Sequence, residues 1–342
     1  MKPVVTLNDI AKRVGVSKVT ASAVLNNVGA NTKVSDATRQ RIMAAAEEMG
    51  YRPNSSARSM RTGKFDCVGL VLSTKSSRST LQRYTLNGIN DALAERNYHL
   101  TMGTAPDEML ASEENVPKML RQWMVDGLLI NYSFGAPERM AKHIQEHLIP
   151  SVWINGSNEA DTVSPDDRSA AREITSRLAE LGHRRIVYCG YDFQDETDLH
   201  YSVEARKQGY SEAMQAAGLD TAFERVRLDQ DGRTNEAEIR QQIGVTDRPT
   251  AVVTYWPSVA NVVMRQALEM GLRIPEDITI VTFSDVWVKA EGLPINTCLI
   301  PSYEIGYQAV KMLWEKIADP TQAQTSVTVP FLFDDQYLHR LL

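Results

Sequence analysis

From Phe65 onward, short apolar runs alternate with longer amphipathic stretches, and this rhythm restricts the fold more than any other feature of the 342-residue chain. Strand candidates are Val68–Leu72, His99–Gly103, Gly127–Ile130, Val152–Ile154, Ile186–Cys189, Val226–Leu228, Ala251–Thr254 and Thr279–Phe283. Helical periodicity lies between them, at Leu81–Arg96, Arg168–Leu181, Ser202–Ala217, Ser258–Met270 and Tyr303–Ala318. Strands separated by helices pair in parallel, and a parallel sheet needs both faces covered, so doubly wound α/β layers are predicted. So many units exceed one comfortable open sheet, which points to two similar lobes facing each other.

The first 62 residues follow another rhythm. Thr6 caps a helix whose Leu7, Ile10, Ala11 and Val14 share one face, and Gly15 ends it. Ser17 caps a second helix carrying Ala21, Val24 and Leu25, closed by Asn26, Asn27 and Gly29. Ser35 caps a third, with Ile42, Ala45 and Met49 inward and Gly50 as its stop. Two helices joined across a glycine turn, the second polar and cationic outside, form a helix-turn-helix pattern. Beyond the extended Tyr51-Arg52-Pro53, Asn54 can cap a short segment, Ser55 to Arg61, with Arg58 and Arg61 outward. It is too short to be a stable helix alone, so it is either a linker or a helix that forms on a partner.

Charge divides at the same place. Residues 1–62 hold ten Lys/Arg and four Asp/Glu, a net +6, so the overall −6 leaves −12 on the remainder. A polyanion is drawn to the head and repelled by the body, which confines any nucleic-acid contact to the head. No apolar run approaches the ~18 residues of a membrane span, and the N-terminus lacks an apolar signal core. A soluble protein acting in the cytoplasm is expected. Cys67, Cys189 and Cys298 are too scattered for a disulfide framework or a zinc site, so buried thiols are expected. The first strand is followed by Ser73-Thr74-Lys75-Ser76-Ser77-Arg78, with no glycine-rich phosphate loop, and no Gly-x-Ser-x-Gly elbow occurs. These absences lower the enzyme reading without eliminating it: no enzyme activity and no cofactor are predicted, an enzyme on a binding-protein fold being the less favoured alternative. His143-Ile144-Gln145-Glu146-His147 matches a zinc-protease string, but its flanks Glu138, Arg139 and Lys142 read as a solvated covering helix, and no metal is expected there.

The run Leu7-Asn8-Asp9-Ile10-Ala11-Lys12-Arg13-Val14-Gly15-Val16-Ser17-Lys18, with Thr20, Ser22 and Val24-Leu25-Asn26, resembles the helix-turn-helix of the lactose-repressor (LacI) family of bacterial transcription regulators. Val34-Ser35, Thr38-Arg39, Gly50-Tyr51-Arg52-Pro53-Asn54 and Ala57-Arg58 are similar to that family's third helix and hinge. Leu181-Gly182-His183-Arg184-Arg185-Ile186, Arg206-Lys207-Gln208-Gly209-Tyr210, Pro249-Thr250-Ala251-Val252 and Gly271 to Ile278 are similar to its sensor core. The resemblance covers essentially the whole chain. It implies an all-α helix-turn-helix head on a two-lobed α/β core of the periplasmic-binding-protein type. The expected divisions are a head at 1–53, a hinge at 54–63 and a core at 64–342. Within the core, the N-lobe takes 64–163 plus 298–323, and the C-lobe takes 164–297 plus 324–342.

Functionally, the resemblance implies a repressor that binds a palindromic double-stranded DNA operator as a homodimer, its affinity set by a small effector, sugar-like, between the lobes. The recognition helix would offer Lys18 to guanine, Val19 to a thymine methyl, and Ser22 and Asn26 beside them. Thr6, Ser17, Thr20 and Asn54 are phosphate or sugar candidates that also serve as caps. Ala57, Arg58 and Met60 belong to the hinge, with Met60 the minor-groove wedge where leucine is usual in the family. Arg206 matches the family's effector-contacting arginine. Ser73, Tyr132, Asn155, Trp256, Phe283 and Asp285 lie at or near strand C-terminal ends, where open α/β sheets bind ligands. Trp256-Pro257 and Ser284 stand where the family usually has acidic or amide acceptors. A sugar ring stacking on Trp256 and an aromatic-plugged, unresponsive cleft are both compatible with that change.

Overall fold

The computed structural model describes residues 5–25, 34–52, 63–75, 78–110, 124–133, 135–192, 199–227, 236–245, 247–290 and 292–333. The chain divides into two compact units, Met1–Phe65 and Asp66–Leu342.

The head contains α1 (Leu7–Val14), α2 (Lys18–Leu25) and α3 (Asp36–Glu48). Thr6 starts α1: its amide and hydroxyl both donate to the Asp9 carboxylate, at 2.9 and 2.7 Å. Gly15 ends it with φ 72°, a left-handed cap that glycine adopts without a Cβ penalty. Ser17 starts α2 by accepting the Thr20 amide at 3.0 Å, and Ser35 starts α3 by accepting that of Thr38 at 3.3 Å. Ile10, Val14, Val24, Ile42, Ala45 and Ala46 bury one apolar cluster, and Arg41 donates to the Val14 carbonyl at 2.7 Å, tying α3 to the end of α1.

The larger unit has two parallel sheets. The first runs β13 (Val327–Val329), β5 (Thr162–Pro165), β4 (Ser151–Ile154), β3 (Gly127–Asn131), β1 (Cys67–Ser73) and β2 (His99–Ala105). The second runs β12 (Asn296–Leu299), β9 (Thr279–Ser284), β8 (Ala251–Thr254), β6 (Ile186–Asp192) and β7 (Ala222–Arg227). A short hairpin pairs β10 (Lys289–Ala290) with β11 (Leu293–Pro294). Longer helices cover the sheets: α4 (Arg83–Ala94), α5 (Glu138–Glu146), α6 (Asp167–Glu180), α7 (Tyr201–Ala216), α8 (Glu236–Ile243), α9 (Pro257–Glu269) and α10 (Ser302–Ala318). Each lobe has its own apolar core, the first centred on Leu70, Ile89, Leu129 and Leu313, the second on Ile174, Tyr210, Val253 and Phe283.

The expected lobe boundaries need correction at both returns of the chain. Val327–Val329 pairs with Val163–Pro165 in the first sheet, so the stretch from 324 does not pass directly to the second lobe. Asn296–Leu299 pairs with Val281–Ser284 in the second, so the crossing follows residue 299 rather than preceding 298. Strands β5 and β12 carry little apolar signal, yet their polar groups can be buried because they are satisfied inside: Ser164 donates to the Gly156 carbonyl at 2.6 Å, and Asn296 to that of Ile280 at 3.2 Å. The strand expected at Val226–Leu228 lies earlier, at Ala222–Arg227.

Candidate DNA-reading helix and effector site

In α2, Ala21 and Val24 are buried and Lys18 and Val19 are exposed. Val19 is 75% exposed. Thr20 and Ser22 flank this face, with Thr20 sharing a hydroxyl contact of 2.8 Å with Ser17. Thr6 and Ser17 are thus cap residues and Thr20 lies in the first turn of α2; all three sit at helix N-termini, where backbone N–H groups attract phosphate. Asn26, Asn54, Ala57, Arg58 and Met60 lie outside the described residues.

At the strand ends of the first lobe, Ser73 and Tyr132 converge on one carboxylate. Their hydroxyls donate to Asp107 Oδ1 at 3.2 and 3.0 Å, and Arg78 Nη1 donates to Oδ2 at 2.8 Å and to the Gly135 carbonyl at 3.0 Å. Burial, first, and the neighbouring Asp107 push the Tyr132 hydroxyl up to about 12. Asp107 and Arg78 did not emerge from the sequence. The signal available for Asp107 was its place just after β2, at a strand C-terminal end.

Across the second lobe, Arg206 is buried at 3% exposure. Its Nε donates to Asp167 Oδ1 at 2.7 Å and its Nη1 to the Tyr255 carbonyl at 2.8 Å. The guanidinium lies 4.4 Å from the Phe283 ring centroid and 4.9 Å from that of Tyr255. Nη2 makes no hydrogen bond among the described residues. Burial raises the Asp167 carboxyl above its ordinary value, against the opposing pull of Arg206. Phe283 is fully buried, edge-on to Phe331 at 5.9 Å, because β9 is buried along its whole length, and its ring lies against the Arg206 guanidinium.

Asn155 follows β4 with φ 57°. Its amide meets His200 Nε2 at 3.1 Å and the Tyr201 hydroxyl at 3.2 Å. Trp256 and Asp285 follow the neighbouring strands β8 and β9, and both are half-buried. Trp256 is the N-cap residue of α9 and Pro257 its first helical residue, a position that suits proline because no intrahelical N–H is lost. Burial raises the Asp285 carboxyl. A separate groove of about 530 Å³ is lined by Pro301, Glu304, Gln308, Val327, Val329 and Leu332, among others, and none of the predicted effector residues lines it.

His143 and His147 stack on α5 with ring centroids 6.1 Å apart, His143 being 4% exposed, and the described residues contain no group of three His, Cys, Asp or Glu placed to hold a metal. No described helix is long and apolar enough to cross a membrane.

Two family models match the chain: bacterial regulatory proteins of the lacI family over residues 6–54, and a periplasmic binding protein-like domain over residues 175–333. Among curated relatives, the HTH-type transcriptional repressor PurR of Aliivibrio salmonicida is 26% identical over 318 residues, covering 92% of each chain. The HTH-type transcriptional regulator CelR of Thermobifida fusca is 27% identical, covering 92% of this chain and 93% of the relative. Among solved structures, a lac repressor dimer bound to operator and the anti-inducer ONPF is similar in fold, with TM-score 0.77 at 21% identity over 96% of this chain and 97% of the other. A CelR–cellobiose complex aligns with TM-score 0.60 at 26% identity over 96% and 98%.

Proposed function

Because the chain belongs to the lacI family of bacterial regulatory proteins and joins a helix-turn-helix head to a periplasmic-binding-protein-like core, we propose that it is a sequence-specific transcriptional repressor. It binds a palindromic operator as a homodimer, acts in the cytoplasm and catalyses no reaction. The observation that carries this is the outer face of α2: Lys18 and an exposed Val19 stand beside Ser22 while Ala21 and Val24 are locked in the core. Such a face serves no packing purpose in the head. It does fit a major groove, where a cation meets guanine and a methyl meets thymine.

Its affinity is set by a small hydroxylated effector at the strand ends of the two lobes. Ser73, Tyr132, Asn155, Arg206, Trp256 and Asp285 are the residues proposed to surround it, with Asp107 added by the geometry. Arg206 is pre-organised by Asp167, Tyr255 and Phe283, and one amino nitrogen remains for a ligand acceptor. Trp256 supplies a ring face for stacking.

Selection of the full-length protein against random-sequence DNA, followed by gel shift over a salt series, tests the DNA reading. An enriched inverted repeat is expected, with affinity falling linearly on a log–log salt plot. Lys18→Ala and Val19→Ala should weaken binding to the selected site about tenfold each, from contacts worth roughly 1–3 kcal/mol, with thermal melting unchanged. Failure to enrich any sequence overturns the reading. Titrating neutral sugars while following tryptophan fluorescence, with Trp256→Phe as the reference, separates a responsive cleft from a plugged one.

A further inference from the structure

In the first lobe, the ends of β1 and β3 send hydrogen-bond donors to a single carboxylate that follows β2. Asp107 Oδ1 accepts the hydroxyls of Ser73 and Tyr132 at 3.2 and 3.0 Å, and Oδ2 accepts Arg78 Nη1 at 2.8 Å, with Lys75 Nζ 3.8 Å away. Burial pushes the Tyr132 hydroxyl up to about 12, so it keeps its proton and donates. Two cations thus meet one anion beside hydroxyls that are themselves buried, Ser73 at 4% and Tyr132 at 2% exposure.

The donors are held in place without Asp107. Ser73 Oγ accepts the Lys75 amide at 3.0 Å, and the Ser73 amide donates to Ser79 Oγ at 2.7 Å. Arg78 Nη1 also donates to the Gly135 carbonyl at 3.0 Å, and the Arg78 carbonyl accepts the Ser133 amide at 2.9 Å. Gly135 has φ 60°, and a Cβ there would come within 2.9 Å of the guanidinium carbon, so the Arg78 side chain is packed against backbone. Asp107, by contrast, is carried by a single helical turn, Asp107–Leu110. One turn gains too few hydrogen bonds to hold by itself. Asp107 is therefore the member of the cluster that can leave without disturbing a strand.

We propose that Ser73, Tyr132 and Arg78 form a carboxylate-recognition site, that Asp107 is its built-in occupant, and that the effector is a small hydroxylated acid whose carboxylate takes the place of Asp107. The inference deepens the effector reading above and rests on it. Both oxygens of a carboxylate are used, one by the two hydroxyls and the other by the guanidinium N–H. Replacing Asp107 by a ligand carboxylate exchanges one anion for another, so Arg78 keeps its counter-charge while Asp107 turns out to water. A neutral hydroxyl in the same place would leave Arg78 without that charge, a costly exchange for a guanidinium only 15% exposed. Neutral ligands therefore leave Asp107 where it is, and the site selects for acids.

Melting curves of the full-length protein without DNA, in sodium acetate against sodium chloride at equal ionic strength, test the site. Asp107→Ala vacates it, and about 0.3 M acetate should raise the melting temperature of that variant by about 3 °C over chloride. The natural protein, whose site is filled, should show no difference. Adding Tyr132→Phe to Asp107→Ala removes one donor and should at least halve the rise. If Asp107→Ala does not fold, Asp107→Asn keeps the volume, loses the charge and should show the same preference for acetate. Calorimetric titration with D-glucuronate and D-galacturonate reads the ligand class. At least one should bind Asp107→Ala about tenfold more tightly than it binds the natural protein, and about tenfold more tightly than D-glucose or D-galactose, its neutral parent, binds that variant. No preference for acetate in the variant, a rise that Tyr132→Phe leaves intact, or no advantage of either acid overturns the proposal. None of these readouts involves DNA, and a neutral sugar that binds where both acids fail would strike this site and leave the repressor reading standing.

Discussion

Arg206 and Asp167 form the best-defined ion pair of the core, side chains 4% and 0% exposed and 2.7 Å apart. Removing one member leaves the other buried without its counter-charge, which costs far more than the pair contributes when intact. Asp167→Asn and Arg206→Ala should each lower stability by about 3–5 kcal/mol in urea unfolding. Arg206→Met, which fills the space without a charge, should cost clearly less. The neighbouring His200 has a folded value pushed below the ordinary 6.5 of an exposed histidine. Its contribution to stability is complete above about pH 6.5 and is lost as pH falls from there toward 3, because the unfolded chain then binds a proton that the folded one refuses. Denaturation midpoints measured at pH 7 and pH 5 should therefore differ less in His200→Gln than in the natural protein.

At the scale of elements, helix crossings govern what can be changed. A Cβ on Gly209 would overlap the Arg168 carbonyl, bringing α7 into collision with α6. In the first lobe, a Cβ on Gly88 or Gly306 would overlap the Tyr303 or Thr85 carbonyl, respectively, where α4 and α10 cross. The two lobes thus repeat one device, a glycine at the closest approach of paired helices. Gly209→Ala and Gly306→Ala should each destabilise by about 1–3 kcal/mol or more, since backbone must move. Gly156→Ala, whose nearest neighbours lie at ordinary contact distance, should stay within about 0.5 kcal/mol. In α2 the same logic separates reading from packing: Val24→Ala should lower the melting temperature of the head through a buried cavity, whereas Val19→Ala should leave it unchanged.

For the whole molecule, a +6 head on a −12 body means that the core repels the DNA which the head attracts. Neutralising part of the head, as in Lys18→Ala, should flatten the slope of log affinity against log salt by about 0.9 if that lysine meets a phosphate, and leave the slope intact if it meets a base. This division, the three helices with Thr6, Ser17 and Ser35 as their starts, and the alternation of strands and helices were all legible in the sequence, because periodicity and capping act over a few neighbouring residues. Strands β5 and β12 were not, since Thr162, Ser164, Asn296 and Thr297 read as polar until the carbonyls that satisfy them are in place. Phe283 stands at a strand end in the sequence, and its packing against Phe331 and Arg206 is seen only in the folded lobe. The sequence by itself determined which segment meets DNA and what kind of core carries it, because charge and hydrophobic rhythm are local sums. Which polar groups face each other, Asp107 with Ser73, Arg78 and Tyr132, or Asn155 with His200 and Tyr201, was decided only by the tertiary structure. Those partners lie 22 to 46 positions apart along the chain wherever they cross from one element to another, as Asn155 does to Ser133 and to Tyr201, and nothing short of the folded sheets brings them within hydrogen-bond reach.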